Sequence, residues 1–170
     1  AAVGIAFNFL IALRGALRRE GFWKDGSYPN LRTYLDMVAL GTLGDIVPLV
    51  DENRIFVKVG LDLINEGKRM GLLAMKKVSG VEYQVIDSGK ASFSLIPRIN
   101  AAGRIASAND AVELLLSENQ DHAEELALRL DGFNRKRQVI EKVILQELIE
   151  KLGDSCDPVK AAPLVFASPD

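Results

Sequence analysis

Two aspartates, Asp36 and Asp45, stand in the run YLDMVALGTLGDIVPLVDENR (residues 34–54), among Leu35, Met37, Val38, Leu40, Leu43 and Ile46. An ionised carboxylate in an apolar surround costs many kcal/mol unless a partner compensates it. That partner is a backbone cap, a cation or a metal ion. Asp36 falls near the first turn of a helical pattern, where the positive helix end stabilises a carboxylate. Asp45 follows Gly44 at the other end of the same pattern, where the dipole opposes an anion. Gly41 and Gly44 leave room for backbone or ligand to approach, and a divalent metal ion is a natural partner for such an oxygen donor.

A second constellation is LIPRINAAGRIASAND, residues 95–110. Arg98 and Arg104 lie six apart around Asn100, with only Ala101, Ala102 and Gly103 between Asn100 and Arg104. Small residues let an oxyanion approach the backbone, and guanidinium forks grip phosphate bidentately. The alternative is a pair of arginines bridged to acidic helices. A third is RLDGFNRKRQ, where Arg129, Arg135, Lys136 and Arg137 form either a solvated face or a stripe that tracks phosphates.

Other chemistries are excluded by composition. His122 is the single histidine and Cys156 the single cysteine. No zinc site of the His and Cys type can therefore be assembled within the chain, and a Ser-His-Asp triad is equally unsupported. His122 follows Asp121 at the start of a helical pattern and reads as a solvated first-turn residue. One cysteine also excludes an internal disulfide, which fits a reducing compartment and a cytoplasmic location. The formal charge of −2 leaves no globally basic footprint, so any polyanion contact must be local. No apolar stretch is long enough to span a bilayer.

These residues must be positioned by helices. Apolar spacing predicts one over residues 2–19, carrying Val3, Ile5, Ala6, Phe9, Leu10 and Leu13, then a loop at GFWKDGSYPN. A second is expected from Arg32 to Leu43, a third from an Asp51 cap to Asn65, and a short fourth at LLAMKKV. The stretch SGVEYQVIDSGKASFSLIPRINAAGRIAS gives only a short helix or turn near Ser92 to Pro97, then an irregular segment through Arg104. Ser107 is expected to cap ANDAVELLLS. Asp121 is expected to cap a long helix running to Lys151, of a length that often connects two domains. The tail APLVFASPD reads as a buried strand of Leu164, Val165, Phe166 and Ala167. The opening AAVGIAF, without an initiator Met, reads as part of a longer protein.

Taken together, GIAFNFLIAL, LDMVALGTLGDIVPLVDENRIFVKVGL, PRINAAGRI, AVELLLS, LALRLDGFNRKRQVIE and LVFASPD resemble, in order, the RecJ exonuclease family of the DHH phosphoesterase superfamily. The resemblance implies a 5′→3′ exonuclease on single-stranded DNA in repair and recombination. In that family Mn²⁺ or Mg²⁺ is held between Asp and His side chains, and a metal-activated water attacks the phosphodiester. It makes Asp45 a metal ligand, gives no such role to Asp36, and makes Arg104 a phosphate contact, with Arg98 and Asn100 beside it. On the stripe reading of RLDGFNRKRQ, Arg135 and Arg137 are the DNA-tracking residues. The implied fold is mainly α within an α/β parent. Residues 1–118 would be the later part of the DHH domain, 119–152 a connecting helix, and 153–170 a linker and first strand of a truncated DHHA1 domain.

The family's N-terminal aspartate motif, its Asp-His-His motif and its Gly-Gly-His motif are missing from the sequence. The chain alone is therefore expected to be inactive. Single-stranded DNA is the implied partner, with repair proteins such as a helicase or a single-strand-binding protein. Two other functions fit a chain of this kind: a DHH phosphodiesterase for oligoribonucleotides or cyclic dinucleotides, and an inactive DHH-like scaffold that binds replication or repair proteins.

Overall fold

The computed structural model describes residues 1–152. The tail strand expected over residues 164–167 and the domain assigned to 153–170 lie outside the described residues. Within them the chain is helical: α1 (Ala2–Arg19), a 3₁₀ turn (Leu31–Tyr34), α2 (Leu35–Gly44), α3 (Asp51–Glu66) and α4 (Met70–Val78). There follow α5 (Ser88–Lys90), a π-helical turn (Ala91–Leu95), α6 (Ile96–Ile105), α7 (Asn109–Leu116) and α8 (Gln120–Leu152). No described helix is long and apolar enough to cross a membrane.

Two hydrophobic cores share α2 and α3. The smaller joins Phe7 of α1 to Leu31, Leu35 and Val38, with Phe56, Val59 and Leu63 of α3 packed against it. Phe7 and Phe56 meet edge to face with ring centroids 5.2 Å apart. The larger core runs from Leu40 and Ile64 through α4 and the 88–105 run to Leu114, Leu126 and Leu130 of α7 and α8. The buried face of α1 is therefore Gly4 and Phe7, while Ile5 and Phe9, expected on the core side, point outward. A nearly all-apolar helix offers its spacing no means of choosing between faces.

Glycines set how closely the helices cross. A Cβ on Gly60 would lie 2.2 Å from the Leu35 carbonyl oxygen and 2.4 Å from the Ala39 Cβ. Neither neighbour can yield without moving α2, so Gly60→Ala is expected to destabilise the fold by about 1–3 kcal/mol or more. A thermal unfolding scan of the variant checks this. Gly41 plays the same part against Val3, whose Cγ1 would stand 2.6 Å from a Cβ. The room left by Gly41 is filled by α1, not by a ligand.

Several cap expectations shift by a residue or two. Asp51 is the first residue of α3, and Val50 holds the cap position. Asn119 caps α8 in place of Asp121, its Oδ1 accepting from the His122 backbone N–H at 2.9 Å. Ser107 Oγ accepts from the Asn109 N–H at 3.2 Å, one residue ahead of the cap position at Ala108. His122 itself is a half-exposed first-turn residue whose Nε2 lies 2.8 Å from Glu113 Oε1.

The largest departure is at 88–105, expected to be largely irregular and found helical throughout. Asp87 starts it: its Oδ1 accepts from the Lys90 N–H at 2.7 Å, which holds the Asp87 carboxyl below its usual range. Pro97, the second residue of α6, follows directly on the π-helical turn, which the Ile96 N–H closes by donating to the Ala91 carbonyl, so its missing N–H falls where the regular α-helical bonding is already interrupted. The run is anchored from below by Asn65, whose amide donates to the Ile86 carbonyl at 2.9 Å and accepts from the Ile86 N–H at 2.8 Å.

Candidate nucleic-acid interface

The partner of Asp36 is a guanidinium. Arg69 Nε donates to Asp36 Oδ2 at 2.6 Å and Nη2 donates to Oδ1 at 3.1 Å, a two-pronged pair on a carboxylate only 6% exposed. The same guanidinium reaches the carbonyls of Leu115 (2.9 Å) and Thr33 (3.3 Å), so one side chain ties α2, α7 and the 3₁₀ turn together. Asp36 is thereby committed to structure.

Asp45 has the opposite environment. It is exposed, and among the described residues its carboxylate has neither a hydrogen bond nor an ion pair. The apolar surround inferred from its neighbours does not enclose it, because α2 ends at Gly44 and the chain turns outward. The turn closes with two bonds: the Val47 N–H donates to the Thr42 carbonyl and the Ile46 N–H to the Leu43 carbonyl, each at 3.2 Å. This 6→1 and 5→2 pattern normally places glycine at the left-handed position. Here that position is Ile46, at φ +54°. A β-branched residue in this region is strained, and such strain gathers at functional sites.

Beside this turn lies a groove of about 630 Å³ between the end of α2, the 88–105 run and α8. Its apolar side is formed by Ile46, Val47, Phe93 and Pro97, and its polar side by Asn100, Arg104 and Arg137. Gly44 lines the groove, and a Cβ there would stand 3.3 Å from the Ile96 Cγ2, so the end of α2 and the start of α6 pack closely. Asp45 sits between two residues of the groove wall, Gly44 and Ile46.

The arginines singled out by sequence divide. Arg104 is exposed and has no ion pair or side-chain hydrogen bond among the described residues. Arg137 is held at the groove by Asn134 Oδ1, which accepts from its Nη2 at 3.2 Å, and by an ion pair with Glu141. Arg98 is directed elsewhere. Its Nε donates to Asp131 Oδ1 at 2.8 Å and its Nη1 to the Ser94 carbonyl at 2.6 Å, leaving the side chain 17% exposed. Asp131 is buried on α8 and turns Arg98 inward, so Arg98 does not join Arg104 at the groove. Arg135 also pairs with Asp131, at 2.7 Å, and remains largely exposed. Phe93, Ile46 and Arg69 were not legible as site or frame residues, since nothing in their spacing sets them apart.

Among the described residues no three carboxylate, imidazole or thiolate groups come together as a metal site requires. Asp45 suits a hard cation as one oxygen donor. The residues present do not make a full coordination set.

No protein-family profile matches the chain. Curated proteins do: the chain is 41% identical over 163 residues to the single-stranded-DNA-specific exonuclease RecJ of Salmonella typhimurium, covering 92% of this chain and 28% of that protein. Among solved structures, RecJ of Thermus thermophilus in complex with Mg²⁺ superimposes with a TM-score of 0.68 at 32% identity, covering 80% of this chain and 21% of the other. Exonuclease RecJ bound to manganese gives a TM-score of 0.70 at 32% identity, covering 86% of this chain and 35% of the other. The chain thus spans between a fifth and about a third of the proteins named here.

Proposed function

Since this chain belongs to the RecJ family, we propose that it forms part of a single-strand-specific exonuclease and supplies one wall of its DNA-binding site. Residues 1–118 would be the later part of a DHH domain and α8 the connecting helix. Asp45 would be one ligand of a Mn²⁺ or Mg²⁺ ion whose other donors lie beyond this set of residues, and Arg104 would take a backbone phosphate. The solved relatives hold these two metals. Because the donor set here is incomplete, the chemical step is not assigned to these residues, and the chain alone is expected to hydrolyse nothing.

The observation that carries this reading is the groove. It puts Arg104, a guanidinium without a partner among the described residues, and a second cation, Arg137, on the same concavity as the turn bearing Asp45, a carboxylate likewise without a partner among them. A structural arginine would be expected to resemble Arg98, neutralised and half-hidden. Arg104 is neither.

The test uses Arg104→Ala and Arg104→Lys. A phosphate contact carries no base information, so Arg104→Ala is expected to weaken single-strand binding several-fold and equally across sequences. Its melting temperature should not move, because no described partner is left unpaired. Arg104→Lys is expected to restore part of the loss, keeping charge but not the fork. A marked fall in melting temperature with unchanged binding per folded molecule would assign Arg104 to the fold instead.

A further inference from the structure

The groove has an apolar half that phosphate binding does not use. Phe93 is 84% exposed and Ile46 is 89% exposed. Both are held outward by unusual backbone. Phe93 sits in the middle of the π-helical turn, and Ile46 occupies the left-handed position of the turn after α2. π-turns are rare and recur at functional sites. Here the widened turn is supported by side chains, since the Ser94 carbonyl accepts from both Arg98 Nη1 and Ser79 Oγ. Two locally costly conformations therefore converge on one groove, each presenting an apolar side chain to solvent on the same concavity as Arg104.

Resting on the reading of the groove as a DNA site, we propose that Phe93, backed by Ile46, Val47 and Pro97, is a stacking platform for one nucleobase of the strand whose phosphate Arg104 holds. The occupant follows from the mixture of chemistries. A purely apolar partner would leave Arg104 and Arg137 desolvated, and a bare phosphate would leave Phe93 and Ile46 in water. A nucleotide answers both, with a flat π-face for the phenyl ring and an anion for the guanidinium. A cleft of about 630 Å³ is within the range of small-molecule sites. Every base has a π-face, so the platform reads no sequence. It does read strandedness, because a base inside a duplex is already stacked and cannot be laid on Phe93.

The test measures binding of fluorescent short oligothymidylate, and of an equally long strand of abasic sites, to the 170-residue chain. It compares the unaltered chain with Phe93→Ala, Phe93→Trp and Arg104→Ala. Circular dichroism checks that each is folded; Phe93 is exposed, so all should be. Phe93→Ala is expected to weaken binding of the base-bearing strand about tenfold or more and to leave the abasic strand unchanged. Phe93→Trp should bind the base-bearing strand at least as well as the unaltered chain. Arg104→Ala should weaken both strands alike. The stacking platform is overturned if Phe93→Ala leaves both strands unaffected, or weakens both equally, while Arg104→Ala still weakens both. If the unaltered chain binds neither strand, or Arg104→Ala changes nothing, the underlying reading of the groove fails and the platform falls with it.

Discussion

Asp45→Asn, placed in a whole RecJ enzyme carrying this segment, is expected to cut turnover of 5′-phosphorylated single strands a hundredfold or more without lowering the melting temperature. On the proposal that Asp45 is a metal ligand, its charge would help hold a cation at the reacting phosphate, and losing it would remove several kcal/mol of transition-state stabilisation, about 1.4 kcal/mol for each decade in rate. The fold has little reason to respond. Asp45 is exposed, its side chain has no partner among the described residues, and its role in closing α2 is made by backbone groups. Asparagine keeps the shape and serves equally well at a helix end. A second readout separates a metal role from a generic effect: Mn²⁺ affinity, followed by titration calorimetry or by the manganese electron paramagnetic resonance signal, should fall in parallel with rate. Normal turnover and unchanged Mn²⁺ affinity in Asp45→Asn, with Asp36→Asn inactive at full foldedness, would mean that the wrong carboxylate has been chosen.

The sequence revealed these two aspartates as a problem and put Asp45 at the helix end, where it lies, but gave it an apolar surround that it lacks. Counting apolar neighbours treats a run as a single environment. The run actually crosses a helix end, so Asp36 is enclosed while Asp45, nine residues on, faces water. The partner of Asp36 was illegible for a different reason. Arg69 lies 33 residues away in a break between helices, and only the crossing of α2, α3 and α7 brings it back. Helices with repeated large apolar residues, such as α3, were readable to within a residue or two. The long α8 was readable too, and at 33 residues extends roughly 50 Å.

The 88–105 run failed because Ser, Gly, Asn and Pro weaken every local signal for a helix. Burial of Leu95, Ile96, Ala101 and Ala102 against the other helices overrides that weakness. The groove was therefore only half visible. The arginines and Asn100 declare their chemistry by type, whereas Phe93 becomes a candidate only once a π-turn aims it outward. Spacing also could not separate Arg98 from Arg104. They differ in which face of α6 meets Asp131, and that is settled by tertiary packing.

The Asp36–Arg69 pair predicts the largest stability effect. Asp36→Leu leaves a mostly buried guanidinium without its counter-charge, and Arg69→Met leaves a carboxylate 6% exposed without its cation. Each single variant is expected to lose about 3–5 kcal/mol, the usual cost of breaking a buried pair on one side. For a chain of this size that corresponds to a fall of roughly 10 °C in melting temperature. The double variant distinguishes the charge pair from the remaining bonds of Arg69. If the loss comes chiefly from the stranded charge, Asp36→Leu with Arg69→Met should be less destabilised than the sum of the singles, by about 0.5–3 kcal/mol of coupling. The double variant still lacks the braces from Arg69 to the Leu115 and Thr33 carbonyls, so it should not return to full stability. Strict additivity would show that the two side chains act independently and that the short Nε–Oδ2 contact carries little of the fold's stability. Urea unfolding of the four proteins, with equal m-values as the check on two-state behaviour, gives the coupling directly.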